Sequence, residues 1–148
     1  MKDDNGHEID TEILNDFLES SFTVLQDLKE SVRGFNGVED VMVFENFGQQ
    51  IDRIMGSAYT LSLISIGDLT KLAKELSYKA SQVKQIGKLL AVQSLLSQVL
   101  RLMEKMLLKY QQDINEKPED VAVLVERMKI ASAQLGDLRI SVKVESND

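Results

Sequence analysis

The segment Leu89-Leu90-Ala91-Val92-Gln93-Ser94-Leu95-Leu96-Ser97-Gln98-Val99-Leu100-Arg101-Leu102-Met103-Glu104-Lys105-Met106-Leu107-Leu108-Lys109-Tyr110 decides the fold. Leu89, Val92, Leu96, Val99, Met103, Met106 and Tyr110 recur at alternating spacings of three and four for three heptads, the period of one helix face. Leu95, Leu100, Leu102, Leu107 and Leu108 widen that face beyond the seam of a two-stranded coiled coil, which predicts a helix touching several neighbours. At about 25 residues it extends roughly 38 Å.

The same periodicity continues on both sides. Toward the C-terminus, residues 111–117 read as a loop, and Pro118 suits the first position of a last helix, with Glu119 and Asp120 in its first turn. Val121, Leu124, Met128, Ala131 and Leu135 form that helix's stripe, which Gly136 is expected to end. Residues 140–144 alternate at period two, predicting a frayed or loosely docked terminus, or a strand that joins a partner's sheet edge. Toward the N-terminus, Ser65 is expected to cap a third helix with Asp68 completing an acidic capping box. Leu69, Ala73, Leu76, Ala80 and Val83 line its inner face, and Gly87 marks a break. A second helix over about residues 38–63 carries Phe44, Phe47, Ile51, Ile54, Ala58 and Leu61 at 3-4-3-4-3 spacing. The first helix starts near Asp10 or Thr11, either able to cap it. It presents Leu14, Phe17, Leu25, Leu28 and Val32, with Ser21 in the missing position, and Gly34 is expected to close it in a left-handed cap. The prediction is an all-α, up-and-down four-helix bundle with an additional C-terminal helix. A single domain is expected over residues 10–137, between a flexible tail at 1–9 and another at 138–148.

Composition narrows the function. The chain has 148 residues, one proline, no cysteine and a formal net charge of −7, so disulfide scaffolds, thiolate metal sites and thiol nucleophiles are excluded. The acidic balance argues against nucleic acid or an anionic membrane as partner. No apolar run approaches a transmembrane helix, and the acidic, polar start at Met1-Lys2-Asp3-Asp4 is unlike a signal peptide, so the expectation is cytoplasmic. His7, the only histidine, lies outside the predicted helices, which leaves no catalytic triad and no histidine metal cluster. No phosphate-cradling glycine loop occurs, and Asp3-Asp4-Asn5-Gly6 does not have the register of a calcium loop. No catalytic residue, metal or cofactor is expected. The spaced methionines Met42, Met103, Met106 and Met128 read as core filler.

One stretch carries more: Asp52-Arg53-Ile54-Met55-Gly56-Ser57-Ala58-Tyr59-Thr60-Leu61-Ser62-Leu63. With the second helix's stripe facing inward, Glu45, Gly48, Asp52, Gly56 and Tyr59 fall on one row about 110° away, at the solvent-exposed flank. Each glycine weakens a helix by roughly 0.8–1 kcal/mol. Two of them, one turn either side of Asp52, are expected to give another protein's surface close access to position 52.

This stretch resembles the histidine-phosphotransfer (HPt) domain family, including the domain that opens chemotaxis histidine kinases. That family's motif reads His-x-x-Lys-Gly-Ser-Ala-x-x-x-Gly, followed by a Leu/Ala-rich helix; Gly56-Ser57-Ala58 matches it here, and the similarity centres on these residues and Thr60-Leu61. Ile13-Leu14-Asn15-Asp16-Phe17-Leu18-Glu19 is similar to the family's opening helix and Ala73-Lys74-Glu75-Leu76 to its third. The similarity covers residues 10 to about 110 and implies the four-helix bundle. Three positions depart: the phosphoacceptor histidine is Asp52, the lysine that helps hold the phosphoryl group is Met55, and the second glycine is Ser62. A lone helix-surface carboxylate has no imidazole-like nucleophilicity, and an acceptor aspartate needs a bound magnesium with supporting groups. The resemblance therefore implies a non-enzymatic, HPt-like signalling adaptor in a two-component or chemotaxis-type pathway. It would dock a response-regulator receiver domain or a histidine kinase through Glu45, Gly48, Gln49, Asp52, Met55, Gly56 and Tyr59, with Met55 offering a small apolar contact. Three alternatives stand beside it. Asp52 could be a solvated carboxylate paired with Arg53 or a lysine of the next helix. Gln49 or Gln50, with Glu45 one turn before Gln49, could orient a water in a response-regulator phosphatase. The broad fourth helix could build a structural homodimer.

Overall fold

The computed structural model describes residues 1–37, 40, 42–115 and 120–146, with side-chain surroundings as far as Leu135. Among these residues the chain is all-helical, with five helices and no strand: α1 (Thr11–Gly34), α2 (Met42–Thr60), α3 (Ile64–Ala80), α4 (Ile86–Gln111) and α5 (Asp120–Ser146). α1 packs on α2 and α4, and α3 packs on the same two helices, which closes a four-helix bundle; α5 lies against α3 and α4.

The apolar stripes become the core. Leu14, Phe17, Leu25, Leu28 and Val32 of α1 are buried together with Ser21, as are Phe44, Phe47, Ile51, Ile54 and Ala58 of α2. On α3, Leu69, Ala73, Leu76 and Ala80 face inward, and Val83 follows them into the core. All seven heptad positions of α4 are buried, along with Leu100, Leu102 and Leu107. The width of its face is thus used by α1, α3 and α5 of the same chain, while Leu90 and Leu108 remain exposed. Contrary to the expectation from apolar runs, α4 is long and apolar enough to cross a membrane by length and composition. The burial of its stripe accounts for that composition within a bundle.

Helix ends depart from the sequence expectation in instructive ways. Asp10 caps α1 as expected, accepting from the N–H groups of Glu12 at 2.9 Å and Ile13 at 3.2 Å. Gly34, however, stays helical, and Phe35 follows in an extended conformation. A left-handed glycine is unnecessary there because Gln93 of α4 donates its side-chain amide to the Val32 and Phe35 carbonyls, at 2.7 and 3.0 Å. α2 ends at Thr60 with Ser62 left-handed at φ 56°. The Leu63 N–H reaches the Ala58 carbonyl and the Ser62 N–H reaches that of Tyr59, a Schellman motif with serine where glycine is usual. The expected start of α2 at Val38 lies outside the described residues, as does Pro118. Gly87 falls inside the first turn of α4, and the break between α3 and α4 occupies residues 81–85.

Ser65 does not cap α3, which begins one residue earlier at Ile64. Instead the Ser65 N–H donates to the Asp4 carboxylate at 2.9 Å. Asp68 completes no capping box, because its carboxylate accepts from Tyr59. The N-terminal residues are therefore no loose tail. The Asp4 N–H donates to the Ser62 carbonyl, and Asn115 donates to the Lys2 carbonyl and the Asp4 carboxylate. Ile9 is buried. The segment straps the α2–α3 turn to the loop after α4. Replacing Asp4 with alanine removes the carboxylate that serves α3's first turn, for an expected loss of about 0.5–2 kcal/mol. The urea midpoint should fall with unchanged slope; an unmoved midpoint would show that solvent serves the helix end equally well.

At the other end, α5 runs through Gly136 to Ser146, so neither a helix end at Gly136 nor a strand or frayed segment at 140–144 is formed. Glycine weakens a helix by about 1 kcal/mol without having to terminate it, and a short alternating run is ambiguous between helix and strand.

Candidate functional site

α2 and α3 are antiparallel, and their register is visible at three contacts along the row that holds Asp52. Near the start of α2, Gly48 is buried beneath Tyr78. A Cβ at position 48 would lie 2.8 Å from Tyr78 Cε1 and 3.0 Å from Ser77 Oγ. In the middle, Lys74 Nζ donates to Asp52 Oδ1 at 2.7 Å. Near the end of α2 the first contact is mirrored. Tyr59 lies over Gly67, where a Cβ would meet its Cε1 at 2.6 Å, and its hydroxyl donates to Asp68 Oδ1 at 2.6 Å. Each helix thus places a tyrosine over a glycine of the other, with an ion pair between.

This arrangement removes the expected access at two of the five positions, Gly48 and Tyr59. Gly48 is glycine because α3 leaves no room for a side chain, so it cannot admit a partner. Tyr59 is half-buried by the same neighbour. The row about 110° from the core stripe is where α3 sits rather than open flank. Gly56 is different: it is exposed, and nothing lies within 4 Å of the place a Cβ would occupy. Asp52 keeps 47% side-chain exposure beside Lys74, so it is the carboxylate paired with a lysine of the next helix. The carboxylate holds the Lys74 ammonium above its ordinary pKa, against a smaller opposing effect of burial. At such exposure water screens the pair, and it contributes little to stability. Gln49 is exposed, and Glu45, Gln50 and Met55 are half-buried.

On the other side of α2 an open groove separates it from α1. Asp52, Arg53 and Gly56 line one wall and Ile13, Asp16 and Ser20 the other. Ile13 is 53% exposed there. No family model, no curated protein and no solved structure matches this chain. The groove offers a carboxylate with a tethered ammonium, a bare helix backbone at Gly56 and one exposed apolar side chain, a set suited to contact with another protein surface. Among the described residues no three metal-ligating side chains converge. Tyr78 and Gly67 of α3 have no role in the sequence reading, while Asp68 reads there only as a capping residue and Lys74, as a partner of Asp52, only as an unspecified lysine of the next helix. The signal that could have found them is the antiparallel register, in which a second glycine and a second tyrosine sit at matching distances from Asp52 and Lys74.

The Tyr59 contact has a measurable consequence. Burial, and then the hydrogen bond to Asp68, push the Tyr59 phenol from 10 up to about 12. The unfolded chain releases that proton near pH 10 while the folded chain holds it, so stability falls as pH rises from about 10 to 12. The difference in tyrosinate absorbance between wild type and Tyr59→Phe should show a midpoint near 12. A midpoint near 10 would mean the hydroxyl is free.

Proposed function

We propose that this chain is an HPt-like adaptor without a phosphoacceptor, which docks a response-regulator receiver domain or a histidine kinase at the α1–α2 groove in the cytoplasm. The observation that carries the reading is the presentation of Asp52, at the family's phosphoacceptor position, half-exposed beside the uncovered Gly56. Two features support it. α1 to α4 form a four-helix bundle, and position 62, glycine in the family motif, has the left-handed backbone that favours glycine. The docking surface is then Gln49, Asp52, Met55 and Gly56 of α2 with Ile13, Asp16 and Ser20 of α1. Gly48 and Tyr59 support it from the α2–α3 side. The protein acts by occupancy, because a carboxylate tethered to Lys74 does not attack a phosphoryl donor.

The test is an amide-resolved NMR titration against the receiver and kinase domains of the same organism. Shifts are expected around residues 13–20 and 49–57 with one of them. Asp52→Arg should keep the helix content and melting temperature of the wild type, yet weaken that binding about tenfold through like-charge or steric conflict at the contact. Absence of shifts with every domain would overturn the reading, as would binding that Asp52→Arg leaves untouched.

A further inference from the structure

The chain is electrically lopsided. Residues 1–45 hold twelve Asp and Glu against three Lys and Arg, whereas residues 64–111 hold eight Lys and Arg against three Asp and Glu. Part of that basic surplus gathers in the groove between α4 and α5. Arg101 and Lys105, one turn apart on α4, form one wall, and Arg127 of α5 forms the other. Arg127 Nη1 donates to Gln98 Oε1 at 3.1 Å, which tethers the guanidinium across the groove toward α4. Asp120 stands at the start of α5 and is the only described carboxylate in the lining. None of the three cations forms an ion pair with a described carboxylate, in contrast to Lys29 with Glu104 and Lys74 with Asp52. Between the cations the groove is apolar, with Leu102 and Leu124 buried at its base and Val123 56% exposed at its rim.

Like charges lining one groove repel, and the repulsion grows where apolar walls exclude water. An anionic occupant would relieve it. One carrying both carboxylates and apolar side chains would also cover Val123. Arg101 and Lys105 are about 6 Å apart along α4, the repeat at which a helix presents acidic residues four positions apart. We propose that the α4–α5 groove binds an acidic amphipathic helix of another protein, with its carboxylates on Arg101, Lys105 and Arg127 and its apolar edge on Val123. α2 packs chiefly on α1 and α3 while α5 packs on α3 and α4. This surface is therefore separate from the α1–α2 groove, and its test is independent of the docking reading above.

The experiment uses the full chain and a fluorescein-labelled peptide of about 18 residues, long enough for helix to form on binding. The peptide has Glu pairs at i and i+4 flanking a leucine edge, and its Lys-for-Glu counterpart is the control. The acidic peptide is expected to bind with a micromolar Kd and the basic one not to bind. Affinity should fall about tenfold in Arg101→Glu/Arg127→Glu and about tenfold between roughly 50 and 200 mM salt. Both substitutions are on exposed positions, and circular dichroism checks that the helices persist. Val123→Ala, which keeps every charge, should weaken binding by a smaller factor and leave the salt dependence unchanged. Several results would overturn the proposal: no binding of the acidic peptide, binding indifferent to charge reversal, or equal competition by heparin or phosphatidylserine vesicles. A mass in light scattering that doubles with concentration, and reverts in Arg101→Glu/Arg127→Glu, would also overturn it by assigning the groove to a second copy.

Discussion

Truncating Phe47 to alanine should lower the unfolding free energy by about 3–5 kcal/mol, the largest single effect expected in this chain. Phe47 is fully buried on α2, in the stripe that α1 and α3 both cover. Removing its ring forfeits the transfer of a large apolar surface and leaves a void that α-helices held at both ends cannot close. Domains of this size are stable by about 5–15 kcal/mol, so the loss is a large share of the whole. Urea denaturation followed by circular dichroism measures it. A loss below about 1 kcal/mol would show that α2 shifts to refill the space, and would count against the tight α2–α3 register.

Gly48→Leu should come next, with a loss of about 1–3 kcal/mol from overpacking against Tyr78 and Ser77, whose atoms lie within about 3 Å of the new Cβ position. Gly56→Ala, two turns along the same helix, should do the opposite. With no atom within 4 Å of its Cβ position, it gains helix propensity of up to about 1 kcal/mol. The two glycines look equivalent in the sequence, and their opposite responses report which side of α2 faces α3. Two destabilising results would mean that position 56 is also in contact with something.

The spacing of apolar residues was enough to locate all five helices, because an amphipathic stripe must be buried whatever it is buried against. Phe44, Phe47, Ile51, Ile54 and Ala58 and the seven heptad positions from Leu89 to Tyr110 are all buried, while Leu61 and Leu95 are half-buried and Leu108 is exposed. Periodicity says nothing of which neighbour occupies the flank of a stripe, however. From periodicity alone the row through Gly48, Asp52 and Tyr59 therefore reads as solvent-facing, although it faces α3. Helix ends failed for a related reason. Ser65 and Gly34 are local signals, and in both cases the outcome depended on residues elsewhere. Asp4 and Gln93 come from distant parts of the chain to satisfy backbone groups that capping rules assign to neighbours. The Asp52–Lys74 pair was legible as one option among several, since a lysine on the next helix was foreseeable, and the register chose it.

The Asp4 strap also sets an order in time. Most of the bundle's packing joins helices adjacent in sequence, which form early because the loops to be closed are short. The Asp4 bond to Ser65 spans 61 residues, and the Asn115 bonds to Lys2 and Asp4 span 113 and 111. Contacts of that separation have nothing to bind until the α2–α3 turn and the end of α4 are already in place. They belong on the native side of the folding barrier, and the strap acts as a latch on a bundle that has already assembled. Asp4→Ala should leave the refolding rate nearly unchanged and accelerate unfolding, so the segment that contributes least to forming the bundle governs how long it stays shut.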